Sequence, residues 1–108
     1  MAKILIAGAG GAPSEGVINS MIRASNEDEI IGMGSEPSDL VLSNALRKYY
    51  VPYADQPNYK TELLKILKNE KPDLVHFQND LEIFHASQIR KEIHKVGVKT
   101  FMPSHEVI

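Results

Sequence analysis

The chain has 108 residues and is 43% apolar, which is enough for one domain with a single hydrophobic core. Its formal net charge is −2 and its basic residues are scattered, so the sequence predicts neither a nucleic-acid nor a membrane partner. It contains no cysteine, which excludes disulfide bonds and zinc–thiolate sites. Because it begins without a secretory signal and no apolar run approaches about 20 residues, we expect a cytoplasmic protein.

Short apolar runs alternate with amphipathic stretches, which predicts repeated strand–helix units and a mostly parallel sheet. We predict strands over residues 4–7, 30–33, 49–53, 74–77 and 98–102, and helices over 14–24, 38–46, 82–96 and between Asn58 and Pro72. Right-handed crossovers then favour an α/β, Rossmann-like three-layer fold with a five-stranded parallel sheet in the order 3-2-1-4-5. Pro52 places the third strand at the edge.

The apolar spacing also predicts which helix faces are buried. The expected inward residues are Val17, Ile18, Met21 and Ile22 in helix 14–24, Val41, Leu42, Ala45 and Leu46 in helix 38–46, and Ile83, Ala86, Ile89, Ile93 and Val96 in helix 82–96. Ser38 is the predicted cap of the second of these helices.

The first predicted strand leads into a glycine-rich loop, GAGGAPSEG, at residues 8–16. Gly8, Gly10 and Gly11 permit positive φ and close approach of a ligand, and the N-terminus of the following helix favours an anion. Three interpretations follow: a tight turn without a ligand, an anion or substrate site, and a dinucleotide site.

The dinucleotide interpretation depends on two further residues. The dinucleotide fingerprint has its third glycine at a position that corresponds to Pro13 of this chain. Gly16 would therefore serve as the third glycine, which allows the helix and the strand to pack closely. Glu36, after the second strand, would accept the ribose hydroxyls of NAD. Gly8, Gly10, Gly16 and Glu36 would then bind the cofactor of an NAD(P)-dependent oxidoreductase, an epimerase or a regulatory protein.

A second group of polar residues follows the fourth predicted strand. Asp80 and Glu82 should lie opposite the glycine loop, at the switch point of the sheet where ligands usually bind. One carboxylate could bind an ammonium or hydroxyl group of a small substrate, while Asp80 could also cap the helix. The histidines lack the i, i+4 spacing of helical metal ligands and no G-x-S-x-G pattern surrounds Ser14, so we predict no metal site and no catalytic residue.

In order, the segments ILIAGAGGAPSEGVINSM, GMGSEPSD, YYVPYADQPNYKTELLKILKNEKPDLV, NDLE and FMPSHEVI resemble the N-terminal pre-ATP-grasp domain of ATP-grasp ligases, with the carbamoyl-phosphate-synthase large-subunit-like branch as the nearest likeness. The resemblance covers essentially the whole chain and implies one domain over residues 1–108. The ending PSHEVI has the look of a helix being started, so we expect the chain to be part of a longer ATP-grasp protein.

The resemblance implies that the domain forms one wall of the acceptor-substrate pocket of a carboxylate–amine or ammonia ligase that works through an acyl phosphate. The residues it assigns to substrate binding are Gly8, Gly10, Gly11, Ser14 and Glu15 of the glycine loop and Asp80 and Glu82 after the fourth strand. This piece would hold no cofactor and be inactive alone, while ATP and Mg²⁺ would bind to the remaining ATP-grasp domains, which would be its partners. The sequence leaves open the acceptor substrate and whether the protein forms a homodimer.

Overall fold

The computed structural model describes residues 2–24 and 27–100. Its strands are β1 (Lys3–Ala7), β2 (Glu29–Gly34), β3 (Arg47–Tyr50), β4 (Leu74–His76) and β5 (Lys99–Thr100). Its helices are α1 (Ala12–Ala24), α2 (Pro37–Leu40), α3 (Tyr59–Glu70), α4 (Asp80–Gln88) and α5 (Arg90–Lys95). Residues 101–102 of the predicted fifth strand and the helix start expected at 103–108 lie outside the described residues.

The five strands form one parallel sheet in the order β3-β2-β1-β4-β5, which confirms the predicted topology and the edge position of β3. The central strand β1 pairs Leu5 with Ile31 of β2 on one side and with Val75 of β4 on the other. All three of these side chains are fully buried, as expected for a parallel sheet that is covered on both faces.

Helices cover the two faces of the sheet and make the fold three-layered. On one face, α3 and α5 contribute Leu63, Leu67 and Ile93 to the larger core cluster. On the other face, Ile18 of α1 packs with Ile4 and Ile6 of β1 in a smaller cluster. None of the described helices is long and apolar enough to cross a membrane.

The helix predicted over residues 38–46 is much shorter in the structure. The helix α2 ends at Leu40, and Val41, Leu42 and Leu46 are 70, 71 and 61% exposed, although Ala45 is buried as predicted. The chain leaves the helix because the backbone N–H of Leu46 must reach the carbonyl of Ile30, where β3 begins to pair with β2. The predicted cap is also wrong, because Glu36 and not Ser38 occupies the N-cap position.

The predicted helix 82–96 is two helices. The break lies at Ile89, whose φ of −115° and ψ of 23° leave the α-helical region and whose backbone N–H bonds to Ala86, three residues back. Ala86 and Ile93 are nevertheless both buried, since each of the two short helices turns an apolar side toward the sheet. Among the residues of α1 that were predicted to face inward, Ile18 is buried, whereas Ile22 is 41% exposed.

Glu70, at the end of α3, ties together the amino ends of two strands. Its buried carboxylate accepts hydrogen bonds from Arg47 Nε at 2.8 Å and Nη2 at 2.9 Å, and from the Tyr49 hydroxyl. Lys3 Nζ lies 3.3 Å from the same carboxylate. These contacts, the Arg47 guanidinium first among them, lower the pKa of Glu70 to about 2.

We expect Glu70→Gln to destabilise the fold by about 2 kcal/mol at pH 7, because it removes charge-assisted hydrogen bonds from a buried group. The folded-state pKa lies below the value of about 4.3 for an unfolded glutamate, so this contribution is present above about pH 5 and is lost as the pH falls toward 2. Urea unfolding at pH 7 and pH 3 measures both effects. The control is Glu62→Gln on the same helix, which loses only an exposed ion pair with Lys65; equal losses for both variants would contradict the assignment.

Candidate functional site

A cleft of about 170 Å³ opens where the chain leaves the carboxyl ends of β1, β2, β3 and β4. Its walls include Gly8 after β1, Glu36 after β2, Tyr53 after β3, and Asn79 and Glu82 after β4. This is the end of a parallel sheet at which ligands bind, on the two sides of the switch point between β1 and β4. The cleft is smaller than the 300–1,000 Å³ of typical small-molecule sites, so it has room for only one part of a typical ligand.

The glycine loop turns sharply between β1 and α1. Gly8 has a φ of 73° and Gly10 a φ of 92°, a conformation that side-chain-bearing residues rarely adopt. A Cβ on Gly10 would lie 1.7 Å from the backbone carbonyl oxygen of Asp39. Glycine is required at position 10 because the end of α2 packs directly on the loop.

Several backbone N–H groups of the glycine loop donate within the chain. Ala9 donates to the Met33 carbonyl at 3.0 Å, and Gly11 donates to the Gly8 carbonyl at 3.0 Å. The N–H of Gly10 donates to Oε2 of Glu15 at 2.9 Å. A carboxylate of the chain itself therefore binds the amide of the second glycine.

Glu15 also binds the segment between α2 and β3. Its Oε2 accepts from the Ser43 hydroxyl at 2.6 Å and its Oε1 from the Asn44 backbone N–H at 2.9 Å. Burial alone would raise the pKa of Glu15, but the hydrogen bonds from Ser43, Asn44 and Gly10 outweigh it and lower the pKa. Glu15 is thus a carboxylate at neutral pH, and it joins the glycine loop to the segment between α2 and β3.

Glu36 stands at the rim of the cleft with its carboxylate oriented by two hydroxyl groups. Tyr53 donates to Oε2 at 3.0 Å and Ser38 to Oε1 at 3.1 Å. These hydrogen bonds, that of Tyr53 first, lower the pKa of Glu36. Each carboxylate oxygen retains capacity to accept a further hydrogen bond, so Glu36 can bind a pair of ligand hydroxyls.

Glu82 lies on the opposite wall and is 8% exposed. The hydroxyl of Tyr59 donates to its Oε2 at 2.7 Å. Burial raises the pKa of Glu82, and the hydrogen bond from Tyr59 offsets part of that rise. Asn79 caps α4 by accepting from the backbone N–H groups of Leu81 and Glu82, so the predicted capping role of Asp80 is wrong.

The structure brings some of the predicted site residues together and separates others. Gly8, Glu36 and Glu82 line the cleft, whereas Gly10, Gly11, Ser14, Glu15 and Asp80 are not among its lining residues. The hydroxyl of Ser14 is buried and donates to the Ala7 carbonyl at 2.7 Å. A Cβ at Gly16 would meet nothing within 4 Å, so the expected close helix–strand contact there is wrong.

Sequence reasoning missed Tyr53 and Asn79 as residues of the cleft. Both follow strands of a parallel sheet, at Tyr50 and His76, and that position is the signal that could have found them. Tyr53 is 50% exposed beside Glu36, and Tyr59, which is buried in the core, contacts Glu82.

The charge of the cleft limits what it can bind. Of the described residues on its walls, Glu36, Asp39 and Glu82 are acidic and none is Lys, Arg or His. Such walls favour hydroxyl or ammonium groups and repel anions. Within residues 2–24 and 27–100, no group of three or more His, Asp or Glu side chains is placed to hold a metal ion.

No family model and no curated protein matches the chain. Among solved structures it is similar to the Bordetella bronchiseptica enzyme WbmH in complex with NAD⁺, with a TM-score of 0.58 and 14% identity over 87% of this chain. It is also similar to a point mutant of FtsZ from M. jannaschii, with a TM-score of 0.56 and 16% identity over 94% of this chain. It spans 36% and 37% of those two chains. At these identities the likeness shows the fold, which is Rossmann-like.

We expect Gly10→Ala to destabilise the fold by more than about 2 kcal/mol, because the added Cβ would collide with the Asp39 carbonyl at a positive φ. Gly16→Ala is the matched control, since its Cβ meets open space inside α1 and should stabilise by about 0.5–1 kcal/mol. Urea denaturation of the two variants separates these outcomes. A Gly10→Ala protein as stable as the parent would show that α2 does not press on the loop.

Proposed function

We propose that this chain is a ligand-binding Rossmann-like module that recognises the ribose diol of a nucleoside or nucleotide. The observation that supports the proposal most is the carboxylate of Glu36, which lies after β2 on the rim of the cleft and is held by Tyr53 and Ser38. An acidic residue in this place accepts the two hydroxyls of a ribose in Rossmann-like domains.

Two further features of the cleft support a sugar as the bound group. Its volume of about 170 Å³ suits one ring rather than a whole dinucleotide. Tyr53 is half-exposed beside Glu36 and offers an aromatic surface to the group attached to the sugar. Glu36 would repel a 2′-phosphate, so among dinucleotides the module would favour NAD over NADP.

Calorimetric titration with the four common ribonucleosides, their 2′-deoxy forms and NAD tests this proposal. We expect at least one ribonucleoside to bind, with an affinity roughly tenfold higher than its 2′-deoxy form, because a hydrogen bond to a charged acceptor is worth about 1.5–3 kcal/mol. Glu36→Gln should reduce the affinity by a similar factor. Glu92→Gln, on α5 outside the cleft, should leave it unchanged, and equal affinities for the parent and Glu36→Gln would contradict the proposal.

A second candidate function follows from Glu82. A buried carboxyl group on the wall of an acidic cleft suits an amine or hydroxyl of an acceptor substrate, and the sequence resemblance implies that role in an ATP-dependent ligase. In this proposal the cleft is one wall of the acceptor pocket, and ATP with Mg²⁺ binds to other domains of a longer protein.

The protein encoded by the complete reading frame tests the ligase proposal through acceptor-dependent release of phosphate from ATP. Glu82→Gln should raise the KM for the acceptor severalfold and leave the KM for ATP unchanged, since Glu82 would contact only the acceptor. The 108-residue chain alone should bind Mg-ATP no more tightly than millimolar. Micromolar binding of Mg-ATP to the chain alone would place the nucleotide in this domain and contradict the ligase assignment.

A further inference from the structure

We infer that Glu15 is a specificity-determining residue that excludes phosphate from the glycine loop, so that the cleft selects nucleosides over their phosphorylated forms. This inference rests on the proposed ribose-binding function and narrows its ligand class. In dinucleotide-binding Rossmann-like domains, the phosphates lie on the backbone amides of the glycine-rich turn. Here the amide of Gly10 already donates to Glu15 at 2.9 Å.

A second segment of the chain also holds the Glu15 carboxylate in this position. The Ser43 hydroxyl and the Asn44 backbone N–H contact it at 2.6 and 2.9 Å. A ligand phosphate would have to displace from the Gly10 amide a carboxylate oxygen, Oε2, that also accepts from Ser43. Each of these bonds involves a charged acceptor, the stronger class of protein hydrogen bond.

Packing and charge around Gly10 also disfavour a bound phosphate. The Asp39 carbonyl lies so close to Gly10 that there is no room for even one carbon atom on that side of the loop. The neighbouring cleft carries Glu36, Asp39 and Glu82, and no cation lines it among the described residues. A diphosphate would meet negative charge from Glu15 and from these side chains, whereas an uncharged nucleoside would meet hydrogen-bond acceptors.

The test uses the four ribonucleosides, their 5′-diphosphates and inorganic pyrophosphate with the parent chain, Glu15→Gln, Glu15→Ala and the control Glu92→Gln. Calorimetry gives affinities, and amide NMR shifts show whether a ligand reaches Gly10 and Gly11. We expect the parent to bind a ribonucleoside at least tenfold more tightly than its diphosphate. The Glu15 variants should reduce that ratio at least tenfold, with Glu92→Gln behaving as the parent.

Pyrophosphate separates this inference from the proposed function. If no ribonucleoside binds to the parent, ribose recognition fails, yet exclusion by Glu15 still predicts that pyrophosphate shifts the Gly10 amide in Glu15→Ala and not in the parent. If Glu15→Ala does not fold, Glu15→Gln becomes the deciding variant, because it keeps the shape of the side chain and removes its charge. The inference is overturned if the parent binds pyrophosphate at Gly10, or if the folded Glu15 variants bind it no better than the parent.

Discussion

The geometry around the sheet's carboxyl end depends on one carboxylate. Glu15, in the first turn of α1, joins the amide of Gly10 in the glycine loop to Ser43 and Asn44, which lie 28 and 29 residues after Glu15 in the chain. This contact fixes the segment after α2 against the loop and holds α2 where its Asp39 carbonyl packs on Gly10. Gly10 is therefore an internal packing position of the glycine loop, and Gly8 of the same loop borders the cleft.

The topology of the sheet determines which side chains line the cleft. The order β3-β2-β1-β4-β5 brings together the residues that follow β2 and β4, so Glu36 and Glu82 face one cleft from opposite sides of β1. One carboxylate is exposed and the other is buried, and their pKa values are shifted in opposite directions. Glu36 is thus suited to accept hydrogen bonds as an anion, while Glu82 can exchange a proton at a higher pH than an ordinary glutamate.

The sequence predicted the central strands because buried parallel strands are continuous apolar runs, as at residues 4–7 and 30–33. It predicted their order, which the structure confirms, because crossovers between parallel strands are right-handed. It predicted too long a helix at 38–46, since Val41, Leu42 and Leu46 have helical spacing although the contacts of Glu15 and the start of β3 turn the chain earlier. Glu36 and Glu82 were found from their places after strands. The contact of Glu15 with Gly10 and Ser43 could not be found, because no local pattern indicates which donors a carboxylate will meet after folding.

The most direct test of this account is the pH titration of the Gly10 amide by ¹H–¹⁵N NMR. If Glu15 accepts from this amide, the Gly10 and Asn44 resonances will shift together as one carboxyl group is protonated, with a midpoint below that of an ordinary glutamate because the hydrogen bonds lower the pKa of Glu15. Glu15→Gln will abolish that titration at both amides. A Gly10 resonance that does not move between pH 7 and pH 3, or that titrates equally in Glu15→Gln, would contradict the account.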